Sequence, residues 1–107
     1  MRQMSVEELA ERLATDGEEP PLLLDVREPW EFDLCRIQGS RLLPMGRIVA
    51  SLGRLDPQRE TVVICHHGIR SRQVAHYLEQ QGFERIVNLV GGVDAWARRV
   101  DPAMATY

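Results

Sequence analysis

A chain of 107 residues, 44% apolar and 27% charged, has the size and composition of one domain that closes a single core without staples. A formal charge of −3 excludes a sequence-independent nucleic-acid binder, which needs a basic excess, and no apolar run approaches the ~20 residues of a membrane-spanning helix. Two cysteines, Cys35 and Cys65, are too few for a disulfide framework, and the first residues lack a secretory pattern, so a reducing cytoplasm is the expected setting.

Met1-Arg2-Gln3-Met4 runs directly into a helical pattern. Ser5 with Glu8 has capping-box spacing, and Val6, Leu9, Ala10 and Leu13 form the apolar stripe of a helix ending near Ala14. The polar stretch 15–21 reads as a turn, and Leu22-Leu23-Leu24-Asp25-Val26 as a strand buried on both faces with Asp25 at its carboxyl end. Glu28-Pro29-Trp30-Glu31-Phe32 suits a helical turn, because Pro29 is tolerated early and acidic residues favour the positive end. A brief strand at Leu42-Leu43 stopped by Pro44 is expected next, then a helix from about Gly46 to Leu55 with Ile48, Val49 and Leu52 inward.

Thr61-Val62-Val63-Ile64 is a buried β-branched strand, and Ser71 to Gln81 predicts a helix that buries Val74, Ala75 and Leu78 and stops near Gly82. Arg85 to Leu89 is a further strand, and Gly91-Gly92 turns into a last helix over Val93 to Ala97. Strands alternating with helices predict an α/β domain with a mainly parallel sheet, whose sites lie beyond the carboxyl ends of the strands. Asp25-Val26-Arg27 and Cys65 both fall there. One domain over 1–107 is expected, with a core over about 5–100.

Between strand and helix lies Cys65-His66-His67-Gly68-Ile69-Arg70-Ser71. A free cysteine ending an apolar strand is by itself usually inert packing. Here Gly68 permits a backbone turn that aims successive N–H groups inward, the helix N-terminus adds its positive end, and Arg70 adds a planar donor fork. That environment favours a thiolate and a bound anion. Arginine at the positive end of a helix calls for an anionic ligand or a carboxylate partner: a ligand is the expectation for Arg70, and solvent for Arg72. His66 and His67 are expected on the rim, not as general bases. Adjacent histidines rarely share one ion and no second Cys/His cluster completes a set, so no metal and no cofactor are expected. Asp25 and Arg27 are expected to pair with each other or to cap loops, and Cys35, Trp30 and Trp96 to pack.

Together, Leu24-Asp25-Val26-Arg27-Glu28, Glu31-Phe32, Ile37-Gln38-Gly39-Ser40, Cys65 through Ser71 and Gly91-Gly92-Val93-Asp94-Ala95-Trp96 resemble a single-domain rhodanese from about Ser5 to Val100. The resemblance implies a five-stranded, mainly parallel sheet with helices on both faces. It also implies a sulfurtransferase whose cysteine, Cys65, carries a sulfane sulfur as persulfide. His66, His67, Gly68, Ile69 and Arg70 then complete the six-residue cradle, with Arg70 at an anion-binding position, and Asp25, Arg27 and Ser71 support it. The donor would be a small sulfur anion such as thiosulfate, and the acceptor cyanide, a thiol or a protein. Family members commonly show His-Ile-Pro-Gly where this chain has Arg36-Ile37-Gln38-Gly39. The tail from Val100 to Tyr107 is similar to the ends of rhodanese domains fused to enzymes that activate sulfur-carrier proteins. A sulfur-carrier or desulfurase partner is therefore the alternative to free thiosulfate turnover. A phosphatase loop of this kind has five residues between cysteine and arginine; His66 to Ile69 are four.

Overall fold

The computed structural model describes residues 1–15, 17 and 19–107. Its elements in chain order are β1 (Arg2–Met4), α1 (Val6–Ala14), β2 (Leu22–Asp25), α2 (Pro29–Leu34), β3 (Arg41–Leu42), α3 (Ile48–Ser51), β4 (Thr61–Ile64), α4 (Ile69–Gln80), β5 (Ile86–Leu89) and α5 (Gly92–Arg99). Among the described residues the strands form one five-stranded sheet in the order β1-β5-β4-β2-β3, and each pairing is parallel. Parallel neighbours need crossover connections, and the helices between strands supply them.

Side chains alternate across the sheet, so β2, β4 and β5 each feed two cores. Leu23, Val62, Ile64, Val87 and Leu89 pack with Val6 and Leu9 of α1 and with Val93 and Trp96 of α5. On the other face Leu24, Val63 and Ile86 pack with Ile48 of α3 and with Val74, Ala75 and Leu78 of α4. Each large apolar side chain so buried contributes ~1.5–3 kcal/mol. The expected helices on both faces are thus present.

At the start of α1 the capping box forms as expected: Ser5 Oγ accepts from the Glu8 N–H, and Glu8 accepts from the Ser5 N–H. The expected turn over 15–21 includes Asp16 and Glu18, which lie outside the described residues. Three expectations need correction. Residues 2–4 form an edge strand paired with β5, which a three-residue segment burying only Met4 does not announce. The helix expected over 46–55 is a single α-turn between two 3₁₀ turns, Met45–Arg47 and Leu52–Arg54; Ile48 is buried but Val49 is 70% exposed. Trp30 does not pack into the core but stands 60% exposed on α2.

Candidate active site

Cys65 is the first residue beyond β4, at the carboxyl edge of the sheet, and is 1% exposed. The loop closes on α4 through Gly68, whose φ of 100° lies in the left-handed region, and a Cβ there would meet Gly91 N at 3.1 Å. That conformation turns the Gly68 N–H onto Cys65 Sγ at 3.1 Å. From the other side the sulfur contacts Ser71 Oγ at 3.2 Å, and Ser71 Oγ donates to Asn88 Oδ1 at 2.5 Å. With its one proton spent on Asn88, Ser71 accepts the Cys65 S–H; when the thiol ionises, the hydroxyl can turn to donate to the sulfur. Asn88 is oriented in turn by donating to Gln3 Oε1 on β1 at 3.0 Å. The edge strand that the sequence concealed therefore fixes the far end of this relay.

The first turn of α5 clamps the loop backbone. Val93 N–H donates to the Cys65 carbonyl at 2.9 Å and Asp94 N–H to the His66 carbonyl at 3.1 Å, using helix-end donors that have no intrahelical partner. Gly92 makes this approach possible: its φ is 57°, and a Cβ would overlap the Cys65 carbonyl oxygen and reach the His66 carbonyl oxygen at 2.6 Å. Gly92→Ala is expected to lower stability by more than about 1 kcal/mol, checked by urea unfolding.

A second layer of charge stands behind the loop. Arg27 and Asp25 are both 0% exposed. The Arg27 guanidinium uses all of its donors: Nε and Nη2 meet Asp25, Nη2 also reaches the Cys35 carbonyl at 2.6 Å, and Nη1 reaches the Glu31 carbonyl at 3.2 Å and Tyr107 Oη at 2.9 Å. Burial alone would depress its pKa, but the hydrogen bonds to Asp25 and Tyr107 and the Asp25 charge outweigh it, so the pKa lies above the usual value. Next to this pair, Arg70 Nη1 and Nη2 donate to the two carboxylate oxygens of Glu31 at 2.7 and 2.8 Å. Tyr107 Oη donates to Glu31 Oε2 at 2.8 Å, and its ring lies flat on His66, 3.7 Å between centroids and 6° between planes. Burial first, and then the Glu31 carboxylate, push the Tyr107 hydroxyl up to about 12, so it remains a donor.

Hydrogen bonds from Arg70 hold Glu31 down at about 2 against the opposing effect of burial, and the Glu28 N–H and the Tyr107 hydroxyl add to it. A depressed carboxylate stabilises the fold above its ordinary pKa and loses that contribution as pH falls through its folded value. The wild type is therefore expected to lose stability between pH 4.5 and about 2, and Glu31→Gln to flatten the curve in that window, measured by thermal unfolding across it.

Of the sequence-predicted residues, the structure brings Cys65, Gly68 and Ser71 together around the sulfur. His66 is half-buried under Tyr107, while His67 and Ile69 are exposed on the rim. Arg72 is exposed as expected, and Arg70 has a carboxylate partner where a ligand was expected. Asp25 and Arg27 pair as expected, and Cys35 packs beside Arg27 with Sγ 3.8 Å from Nη1. Arg36, at the departure from His-Ile-Pro-Gly, lies over the Phe32 ring at 4.7 Å. One ligand atom each from His66, His67 and Asp94 lies within 4.8 Å of the others; Asp94 joins from α5, beyond any loop spacing, and its carboxylate is engaged by Arg98 at 3.0 Å.

Three residues that hold the site together escaped the sequence: Glu31 as the Arg70 partner, Asn88 and Tyr107. Asn88 left a signal, a lone polar residue within Ile86-Val87-Asn88-Leu89, since a buried amide needs partners. Tyr107 left none, lying seven residues past the start of the tail at Val100.

The rhodanese-like domain family model matches residues 5–99. A sulfurtransferase from Allochromatium vinosum is 38% identical over 105 residues, covering 98% of this chain and 96% of the relative. A probable adenylyltransferase/sulfurtransferase, MoeZ, from Mycobacterium tuberculosis is 37% identical over 87 residues, where the match takes in 79% of this chain and 22% of that protein. Against a rhodanese-like/PpiC domain-containing chloroplastic protein of Arabidopsis thaliana the chain likewise spans only 30% of the relative's length. Among solved structures, a rhodanese-like domain protein from Staphylococcus aureus superposes with a TM-score of 0.85 at 29% identity, covering 100% of this chain and 99% of that one. A parallel five-stranded sheet with a cysteine loop at its carboxyl edge and this match over nearly the whole chain make the protein a member of the rhodanese-like domain family.

Proposed function

We propose that the protein is a sulfurtransferase that carries a sulfane sulfur on Cys65 as persulfide, taken from thiosulfate or a similar small donor and handed to cyanide, a thiol or a protein. The observation that carries this reading is the buried Cys65 sulfur held between the Gly68 N–H and the Ser71-Asn88 relay. In the first half-reaction the Cys65 thiolate attacks the outer sulfur of thiosulfate; the S–S bond of the donor breaks and sulfite leaves with the electron pair. The outer sulfur, now bonded to Cys65, keeps the negative charge. In the second, the acceptor attacks that outer sulfur and the Cys65 thiolate leaves. The Gly68 N–H and the N-terminus of α4 face the charge in both steps, and oriented donors of this kind cost no reorganisation at the moment of reaction.

Neither half-reaction calls for a metal or cofactor, and a cytoplasmic setting keeps the thiol reduced. Four residues between Cys65 and Arg70 argue against a phosphatase. A second reading, a relay that receives or delivers sulfur through a desulfurase or sulfur-carrier protein, is supported by the likeness to an adenylyltransferase/sulfurtransferase. Steady-state transfer from thiosulfate to cyanide tests the first reading. Parallel double-reciprocal lines, the signature of a covalent intermediate, are expected. Persulfide that forms from a protein donor but from no small donor would replace it with the relay.

A further inference from the structure

Arg70 is the guanidinium that a small anionic donor would meet beside Cys65, and in the folded protein it is already matched by the two oxygens of Glu31. Glu31 is no mobile surface acid. Its side chain is 5% exposed, the Glu28 N–H donates to Oε1 at 3.0 Å, and the Tyr107 hydroxyl holds Oε2. Tyr107 is fixed in turn by Arg27 Nη1 and by its stack on His66, with the Trp30 ring edge-on at 5.8 Å. Arg27 is neutralised by Asp25, and burial, with His67 alongside, lowers the pKa of His66 and so disfavours its charged form. The two arginines on the α2 side of the loop, Arg27 and Arg70, are therefore each matched by a carboxylate. Arg72, the other cation of the first turn of α4, is exposed in a cleft with Gln3, His67 and Val90. That cleft lies toward β1 and β5, on the opposite side of β4 from β2 and α2.

We propose that Glu31, braced by Tyr107, is a donor-specificity determinant: by neutralising Arg70 it turns the site away from dianionic donors such as thiosulfate. Sulfane sulfur on a singly charged or neutral group, a thiosulfonate or an organic hydropersulfide, is then the favoured substrate class. This rests on the persulfide reading of Cys65 and acts through Arg70, which makes Glu31 a positioning residue. With a thiosulfonate the Cys65 thiolate attacks the outer sulfur, the donor S–S bond breaks, and the electron pair leaves on the sulfinate. The transferred sulfur keeps the negative charge on Cys65, and no proton or oxidant is needed.

Thiosulfate and methanethiosulfonate isolate the charge, because a methyl group replaces one anionic oxygen and the transferred sulfur is the same. The quantity read is the ratio of kcat/KM for thiosulfate to kcat/KM for methanethiosulfonate, so that general loss of activity cancels. Glu31→Gln is expected to raise the ratio about tenfold, the effect of one unit charge roughly 10 Å away at an effective dielectric near ~20. Arg70→Ala, which leaves Glu31 uncompensated, is expected to lower it, and the double variant to return it toward the wild-type value. Arg72→Ala is expected to move it less than Arg70→Ala. If Glu31→Gln fails to fold, the wild type still decides the matter: with Arg70 matched, its thiosulfate rate does not fall as ionic strength rises to ~0.15 M. An unchanged ratio in Glu31→Gln, a larger effect from Arg72→Ala, or a wild-type rate that falls steeply with salt overturns the proposal. Loss of product from both donors only in Cys65→Ser keeps the persulfide reading intact through such a failure. A Cys65→Ser protein as active as wild type would remove the reading itself.

Discussion

Cys65→Ser is expected to abolish transfer from any small donor to cyanide while leaving the fold in place. Serine keeps the approximate shape of the side chain and can still accept from the Gly68 N–H and meet Ser71, so the loop retains its internal contacts. A stability change on the order of 1 kcal/mol is expected, the scale of one altered hydrogen bond. A hydroxyl at this position is not ionised at neutral pH and forms no sulfur–sulfur bond, so nothing remains to accept the sulfane sulfur. Thiocyanate release and urea unfolding of the same preparation separate the two effects. Lost activity with retained stability is the expected pair of results.

Arg27→Ala is expected to be the most destabilising single change considered, at about 3–5 kcal/mol. The figure follows from what the substitution leaves behind: an Asp25 carboxylate with 0% exposure and no counter-charge. It also strips the donors from the Glu31 and Cys35 carbonyls and from the Tyr107 oxygen. Against a total stability of ~5–15 kcal/mol for a domain, this leaves a marginal or unfolded chain. Arg27→Lys is expected to rescue little, because a single ammonium cannot reproduce a planar fork that meets Asp25 on one side and three further oxygens on the other. Denaturant unfolding checks both variants, and a loss below about 1 kcal/mol for Arg27→Ala would show that Asp25 finds other donors.

Local signals carried the elements that build the sulfur loop. The β-branched run of β4, the left-handed Gly68 and the stripe of α4 are properties of neighbours in sequence, and they placed Cys65 where it stands. The capping box of α1 was legible for the same reason. What escaped depends on contacts between distant segments. β1 exists because β5 offers it an edge, and only Met4 of its three residues is buried. The Arg70 partner comes from α2, 39 residues earlier, and Tyr107 reaches Arg27 across 80 residues. Electrostatics at the helix start did require an anion near Arg70, but whether ligand or side chain would supply it depended on where α2 packs. Val49 misled because an apolar residue in a broken helical pattern carries no fixed face once the segment is 3₁₀ at both ends.

The measurement that tests the account most directly is the intact mass of the reduced protein after incubation with excess thiosulfate or methanethiosulfonate, beside a Cys65→Ser control. The account predicts one added sulfur on the wild type, none on the variant, and its loss on addition of cyanide. No added sulfur from either donor, or the same addition on Cys65→Ser, would contradict it.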